Sequence, residues 1–107
     1  MDPGEDTGKA RFFSSKVNGG LTASGERLNS EQMMAGHPSY RLGSWVRVTN
    51  LGNGKSVEVK IVDRLPASSG RVINVSESAA RQLDLIRAGT ADVRLELVQH
   101  VEKAEKQ

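Results

Sequence analysis

Three titratable side chains stand where a protein could use them for acid–base chemistry. Asp63 follows a strongly β-patterned segment, at the point where the chain should leave a sheet. Glu26 lies in a polar, glycine-containing loop, and His37 stands between Gly36 and Pro38. Carboxyl and imidazole groups are the usual proton donors and acceptors of active sites. An apolar strand beneath Asp63 would desolvate its carboxyl group and favour the protonated form.

Each of these residues also has a commoner, purely structural interpretation. Asp63 could cap a turn and pair with Arg64, and spacing alone favours this reading because aspartates are frequent at strand ends. A lone Glu26 in a loop is usually solvent-exposed. His37 could be a surface histidine or make a structural hydrogen bond. The chain has two His and no Cys, and His37 has no second ligand at metal spacing, so we expect neither a metal nor another cofactor.

Alternating apolar residues predict the strands that would position these side chains. Ser44–Asn50 and Ser56–Val62 both alternate apolar with polar residues. The Asn53-Gly54 pair between them is typical of a tight hairpin turn. The sequence therefore predicts two antiparallel strands, the second of which leads directly into Asp63.

The remaining segments predict further short strands and one helix. Ser76 is a suitable N-cap for a helix over Glu77–Leu83. A single helical turn could begin at Asn29 with Ser30 as its cap. Further strands are predicted over Lys9–Ser15, Arg71–Val75 and Ala91–Val98. Five or six short strands with one or two short helices indicate a mainly β fold, a small barrel.

Length and composition favour one domain. The chain has 107 residues, of which 36% are hydrophobic, enough for a single core. Residues 1–8 are polar and rich in Gly and Pro, which predicts a disordered lead-in. Residues 99–107 form a charged tail. We therefore expect the folded domain to span residues 9–98.

Charge and hydropathy argue against several kinds of partner. The net charge is +2, and Arg and Lys are spread along the chain, so nucleic acid is not an expected partner. No apolar run approaches the roughly 20 residues that span a bilayer. Residues 1–4 lack the apolar segment of a signal peptide. The chain is therefore expected to be either cytosolic or a mature form whose signal peptide has been removed.

A series of short motifs, in order and at close spacing, resembles the rare lipoprotein A (RlpA-like) double-psi β-barrel family of lytic transglycosylases. The resemblance covers roughly residues 9–98. The motifs are Thr22-Ala23-Ser24-Gly25-Glu26, Ala35-Gly36-His37-Pro38, Leu42-Gly43, Val46-Arg47-Val48-Thr49-Asn50, Asn53-Gly54-Lys55-Ser56-Val57, Val62-Asp63-Arg64 with Pro66, Gly70-Arg71-Val72-Ile73, and Ser76 with Ala79-Ala80 and Gly89.

This resemblance implies a fold, a location and a reaction. The fold is a six-stranded double-psi β-barrel with a groove across one face. The location is the periplasm or the cell envelope, and the partner is peptidoglycan. The reaction cleaves glycan strands poor in stem peptides between N-acetylmuramic acid and N-acetylglucosamine, and leaves a 1,6-anhydromuramoyl end. Since the chain has no Cys, no lipid anchor is expected on it, and we expect a monomer.

The resemblance also assigns roles to residues. Asp63 becomes the general acid and base, with Glu26 and His37 in support. Such an enzyme protonates the leaving oxygen with one carboxylic acid, while the sugar's own C6 hydroxyl attacks C1. Arg64 either contacts a substrate carboxylate or holds Asp63 ionised, which would oppose its work as an acid. The predicted substrate-binding residues are Arg64, Tyr40, Asn74, Thr22 and Ser24.

Two departures from the family pattern keep other functions open. Leu65 and Asn74 stand where the family usually has Gly and Asp. They favour a glycan-binding module without turnover, similar to some expansin-like barrels, whereas the presence of Glu26, His37 and Asp63 opposes it. A third hypothesis is a cytosolic interaction or nucleic-acid-binding barrel, which only the missing signal peptide and the mild basicity suggest.

Overall fold

The computed structural model describes residues 5–98 as a closed barrel of six strands with one α-helix. This confirms the predicted mainly β class. Residues 1–4 of the expected lead-in and the expected tail at 99–107 lie outside the described residues. The elements are β1 (Glu5–Phe13), β2 (Met34–His37), β3 (Trp45–Asn50), β4 (Ser56–Arg64), β5 (Ile73–Ser76), α1 (Glu77–Leu83) and β6 (Ala91–Val98), with short 3-10 helices at Ser15–Val17 and Ala67–Ser69.

The strands close in the order β1-β5-β2-β4-β3-β6. Two pairs, β1 with β5 and β2 with β4, are parallel, and the other four are antiparallel. Closure pairs both sides of every strand, so the barrel presents no long free edge. The predicted hairpin is β3 and β4, which pair antiparallel as expected.

The core fills the barrel interior. The inward-facing residues of β3, β4 and β6 alternate with exposed or half-buried ones, as the sequence pattern predicts. The helix closes the core with small residues, Ala79 and Ala80, and with Leu83. Its predicted N-cap is confirmed: the Ser76 hydroxyl accepts the Ala79 N–H at 3.3 Å. None of the helices within residues 5–98 is long and apolar enough to cross a membrane.

Two local predictions were wrong. The first strand begins at Glu5 and ends at Phe13, so residues 5–8 are not lead-in. Their backbone pairs with β6, from Glu5 opposite Glu96 to Ala10 opposite Ala91, and a polar segment can form a strand when a neighbour satisfies its backbone. The segment from Asn29 is a turn, in which the Asn29 side chain accepts the Glu31 N–H at 2.9 Å.

One irregularity in β4 positions the residue at its end. The alternation of buried residues holds to Ile61, but Val62 is buried as well. Opposite this point the register with β2 shifts between Ala35 and Gly36. Such a bulge adds one residue to a strand and re-aims the side chains that follow it. Asp63 therefore lies within β4, which runs two residues further than predicted, and faces Gly36.

Candidate active site

The strand register places Asp63, Gly36 and Asn74 in one row across three neighbouring strands. Gly36 on β2 pairs with Asp63 on β4 and with Asn74 on β5. Because adjacent strands lie about 4.8 Å apart, the carboxyl-bearing and the amide-bearing strands stand about 10 Å apart. The residue between them has no side chain. The row thus leaves a surface without a side chain, the groove floor, between the strand that carries the Asp63 carboxyl group and the strand that carries the Asn74 amide group.

A groove of about 160 Å³ lies over this row. One part of its wall is apolar, and the other part is polar. Asp63 provides the single carboxyl group among the described residues that line it. The lining residues are Phe13, Val17, Leu28, Leu65, Gly36, Asp63, Arg64 and Asn74. This is a concave site with a few polar groups set into an apolar wall, the usual character of a ligand site.

A docked loop holds the Asp63 carboxyl group. One carboxyl oxygen, Oδ1, accepts the Ala23 N–H at 3.0 Å, a contact between residues 40 apart in sequence. The Ser24 N–H donates to the Val62 carbonyl at 3.0 Å, so the same loop also covers the bulge. Among the described residues Asp63 forms no ion pair. The carboxyl group is half-buried, held at one oxygen and open to the groove.

Thr22 and Ser24, predicted to bind substrate, stabilise this loop. The Thr22 hydroxyl donates to the Glu26 carbonyl at 2.6 Å and lies 3.0 Å from the Ser24 hydroxyl. Thr22 is buried, with 6% of its surface exposed. Both hydroxyl groups are therefore bonded within the loop whose backbone donates to Asp63.

Arg64 does not pair with Asp63, so the interpretation of the two as an ion pair was wrong. Its Nη1 donates instead to the backbone carbonyls of Tyr40, at 2.6 Å, and His37, at 3.3 Å. Arg64 is also among the residues that line the groove.

His37 lies at the end of β2 and is buried, with 3% of its surface exposed. Its Nδ1 accepts the N–H groups of Ser39 and Tyr40, both at 3.0 Å. A nitrogen that accepts two N–H groups carries no proton, so the neutral ring has its proton on Nε2. Burial lowers the pKa of His37 to about 4, Asp6 opposes this shift and Arg64 adds to it.

These contacts make His37 the centre of a rigid turn. Its ring stacks on Tyr40, with 3.6 Å between the ring centroids and 7° between the planes. Burial also raises the pKa of Tyr40. His37 and Tyr40 are not among the groove-lining residues, and the Nε2 of His37 is buried. The turn instead presents the two carbonyl groups that hold Arg64.

Glu26 lines a second groove. Its carboxylate pairs with the Lys60 ammonium at 2.9 Å. Around them are Glu31, Gln32, Met33, Met34 and Trp45. Glu26 and Asp63 are thus connected by the same loop but line different grooves. No group of three potential metal ligands occurs among the described residues.

Sequence reasoning missed the roles of Gly36 and Lys60, and it left open the effects of Leu65 and Asn74. Gly36 was recognised only as part of a motif, and its role depends on the strand register. Lys60 was read as the polar side of a strand, and nothing local indicates its pairing with Glu26. Leu65 is buried and forms groove wall, and its φ is not positive, so it causes no backbone strain where the family usually has Gly. The Oδ1 of Asn74 is buried and has no partner within the described chain.

Comparisons with known proteins agree with this architecture. Residues 5–95 match the lytic transglycolase family. The endolytic peptidoglycan transglycosylase RlpA of Vibrio cholerae is 41% identical over 93 residues, which are 87% of this chain and 35% of that protein. The RlpA of Pasteurella multocida is 46% identical over 92 residues, which are 86% and 31%. The chain thus spans about a third of the length of these curated relatives.

Among solved structures, an expansin of Clavibacter michiganensis superimposes with a TM-score of 0.70 at 22% identity, over 89% of this chain and 50% of that one. A mutant of that expansin has been solved in complex with cellohexaose. The structural neighbours are double-psi β-barrels, which confirms the predicted fold. The match over nearly the whole described chain, together with relatives above 40% identity, establishes that this chain belongs to the lytic transglycolase family.

Proposed function

We propose that this chain cleaves peptidoglycan glycan strands between N-acetylmuramic acid and N-acetylglucosamine, with Asp63 as the general acid and base. One observation carries the proposal. The groove over the Asp63–Gly36–Asn74 row holds a single carboxyl group, set against an apolar wall. The names of the relatives, endolytic peptidoglycan transglycosylases, support peptidoglycan as the substrate and the cell envelope as the location.

A single carboxyl group suits a transglycosylase better than a hydrolase. Hydrolytic glycosidases use two carboxyl groups, one as acid and the other as nucleophile or as base for a water molecule. In this groove no second carboxyl group lines the wall among the described residues, and Glu26 is paired with Lys60 in the other groove.

The proposed reaction needs no external nucleophile. Protonated Asp63 donates its proton to the glycosidic oxygen as the C1–O bond breaks. The C6 hydroxyl of the muramic acid residue attacks C1, and the Asp63 carboxylate takes the hydroxyl proton. The products are a 1,6-anhydromuramoyl end and a free hydroxyl on the released sugar, and Asp63 ends protonated as it began.

Other residues support this chemistry by position. The Ala23 N–H holds one oxygen of Asp63, which fixes the direction of the other. Asn74, on the far side of the groove floor, offers a polar amide to the sugar whose positive charge develops during cleavage. Glu26 and Lys60 offer acceptors and donors to sugar hydroxyls in the second groove. We assign His37 a positioning role, because it holds the turn that carries Arg64.

Product analysis tests the proposal directly. Peptidoglycan stripped of stem peptides by an amidase is incubated with the parent protein and with Asp63→Asn, and released fragments are identified by mass spectrometry. We expect 1,6-anhydromuramoyl ends from the parent alone. Hydrolysed reducing ends would refute the transglycosylase mechanism, and equal product from Asp63→Asn would refute the assignment of the acid.

A glycan-binding module without turnover is the second candidate. It is favoured by the amide of Asn74 in place of the family's usual carboxylate, and by the structural likeness to an expansin solved with a bound oligosaccharide. Co-sedimentation with the same stripped glycan separates the two. Sedimentation of the protein with the glycan, without any cleavage products, would support a binding module and refute the proposed enzymatic activity.

A further inference from the structure

We infer that the second groove, which Glu26 and Trp45 line, holds a sugar ring of the same glycan strand that lies in the Asp63 groove, with the indole of Trp45 packed against the face of that ring. This inference rests on the proposed function, because it takes the Asp63 groove as the place of cleavage. It adds a second binding subsite to the barrel and assigns Trp45 to it.

The bulge in β4 brings the two grooves to one side of the barrel. Lys60 lies on the outer side of β4, and the next two residues, Ile61 and Val62, are both fully buried, so that Asp63 is turned outward again. In a regular strand Lys60 and Asp63 would face opposite sides, because successive side chains alternate. At about 3.3 Å per residue, the two residues are roughly 10 Å apart along the strand. An extended chain of a few sugar rings spans this distance.

The loop over residues 22–26 runs beside β4 from one groove to the other. Three contacts hold it along the strand, in the order of the residues. They are the Ala23 N–H with the Asp63 carboxylate, the Ser24 N–H with the Val62 carbonyl, and the Glu26 carboxylate with the Lys60 ammonium. The loop therefore borders both grooves, and one ligand that lies along β4 would contact the loop in each of them.

The second groove has the surface that a sugar ring requires. Its volume is about 400 Å³, against about 160 Å³ for the Asp63 groove. Trp45 and Met33 are half-buried and give it an apolar patch, and Gln32 offers an amide beside them. A sugar ring has C–H groups on its faces and hydroxyl groups around its edge. An aromatic side chain can therefore pack on a face while polar side chains bond to the edge.

The charges of the second groove favour a neutral ligand. The carboxylates that line it are already paired, Glu26 with Lys60 at 2.9 Å and Glu31 with Arg81 at 2.6 Å. Hydroxyl and acetamido groups of a glycan suit such balanced charges. A peptide that binds as an added strand would need a free strand edge, and the barrel formed by residues 5–98 is closed. The groove therefore suits a glycan better than a peptide.

The fluorescence of Trp45 tests the inference without a substitution in the second groove. Trp45 is the only tryptophan of the chain, so its emission reports this groove directly. Asp63→Asn, which should bind glycan without cleaving it, is titrated with an octasaccharide from stripped glycan and, separately, with free stem peptide. We expect the octasaccharide to change the emission and the peptide to leave it unchanged. Emission that the octasaccharide does not change, or that the peptide changes instead, would overturn the inference.

Affinity measured by calorimetry shows what the indole contributes to binding. In the Asp63→Asn background, Trp45→Thr should weaken octasaccharide binding by about fivefold to tenfold, the contribution of one packed aromatic ring. Trp45→Phe keeps a ring and should retain most of the affinity. The control is Leu97→Thr, which removes an exposed apolar side chain from the neighbouring strand β6, outside both grooves, and should change affinity by less than about twofold. Equal affinity of Trp45→Thr and its background would overturn the inference.

Cleavage assays separate this inference from the proposed function. If the parent releases no anhydromuramoyl ends, yet octasaccharide binding depends on Trp45, the proposed cleavage is refuted and the second groove remains a sugar subsite. If the parent releases those ends, yet the glycan changes neither the emission of Trp45 nor its affinity on Trp45→Thr substitution, the function stands and the subsite is refuted.

Discussion

Replacing His37 with Asn should flatten the dependence of stability on pH. In the folded chain burial lowers the pKa of His37 from 6.5 to about 4. The unfolded chain therefore binds more protons at this residue between these two values, and stability increases with pH across that window. The contribution is complete above about pH 6.5 and is lost progressively as the pH falls towards 4.

The size of the effect follows from the shift. About 2.5 pH units at about 1.4 kcal/mol per unit give roughly 3 kcal/mol of unfolding free energy lost between pH 7 and pH 4. For a domain of this length that corresponds to a fall of about 10–20 °C in Tm. Asp6 and Arg64 act on the ring with opposite signs, and both remain in the variant.

Asn is the informative replacement. Its Oδ1 can occupy the position of the imidazole Nδ1 and accept the N–H groups of Ser39 and Tyr40, yet it does not titrate. Urea denaturation of the parent and His37→Asn at pH 7, 6, 5 and 4 gives two curves of unfolding free energy. All other groups titrate in both proteins, so the difference between the curves isolates His37. Parallel curves would refute the reasoning.

Three further substitutions test other parts of the site. Gly36→Ala should fold with an unchanged Tm, because a Cβ at this position meets Asp63 at ordinary contact distances of 3.6–3.7 Å. Its methyl group lies in the groove and should lower the rate of glycan cleavage. A large fall in Tm would contradict this expectation. Leu65→Gly should lower the free energy of unfolding, measured by urea denaturation, by about 3–5 kcal/mol, because Leu65 is buried and its backbone conformation does not require glycine. A variant more stable than the parent would contradict this, because it would indicate backbone strain at Leu65. Glu26→Gln should change the unfolding free energy by less than about 1 kcal/mol, because the ion pair of Glu26 with Lys60 is partly exposed. The same variant should co-sediment less with glycan. Unchanged co-sedimentation would show that Glu26 and the second groove do not bind glycan.

The alternation of apolar and polar residues predicted the strands well where one face of the strand is buried and the other is exposed to solvent. The hairpin of β3 and β4, the helix and its Ser76 cap, and β6 all follow from local pattern. The start of β1 does not, because residues 5–8 look like a polar loop until β6 pairs with them. The C-terminal end of β4 escaped prediction for a similar reason: its bulge depends on the register with β2.

Three of the predicted site residues, Asp63, Arg64 and Asn74, line the groove, whereas the others do not. Asp63 was singled out by its place at a strand end together with the family resemblance, and it does line a groove. Three contacts of the site join residues that are far apart in sequence. They are the hydrogen bond of Asp63 with the Ala23 N–H, the hydrogen bond of Arg64 with the Tyr40 carbonyl, and the ion pair of Glu26 with Lys60. Such contacts depend on the closed barrel, and no local pattern encodes them.

The two parallel strand pairs have a consequence for how this chain reaches its working form. Parallel pairing requires crossover connections, so β2 with β4 and β1 with β5 join segments distant in sequence, and such contacts form late and slowly during folding. The row of Asp63, Gly36 and Asn74 draws one residue from each of three strands, which meet through the parallel pair of β2 with β4 and the antiparallel pair of β2 with β5. Any partly folded species that lacks β2 between its neighbours has no assembled groove. Activity should therefore emerge in a single step with barrel closure, and during refolding it should lag behind the formation of the β3–β4 hairpin.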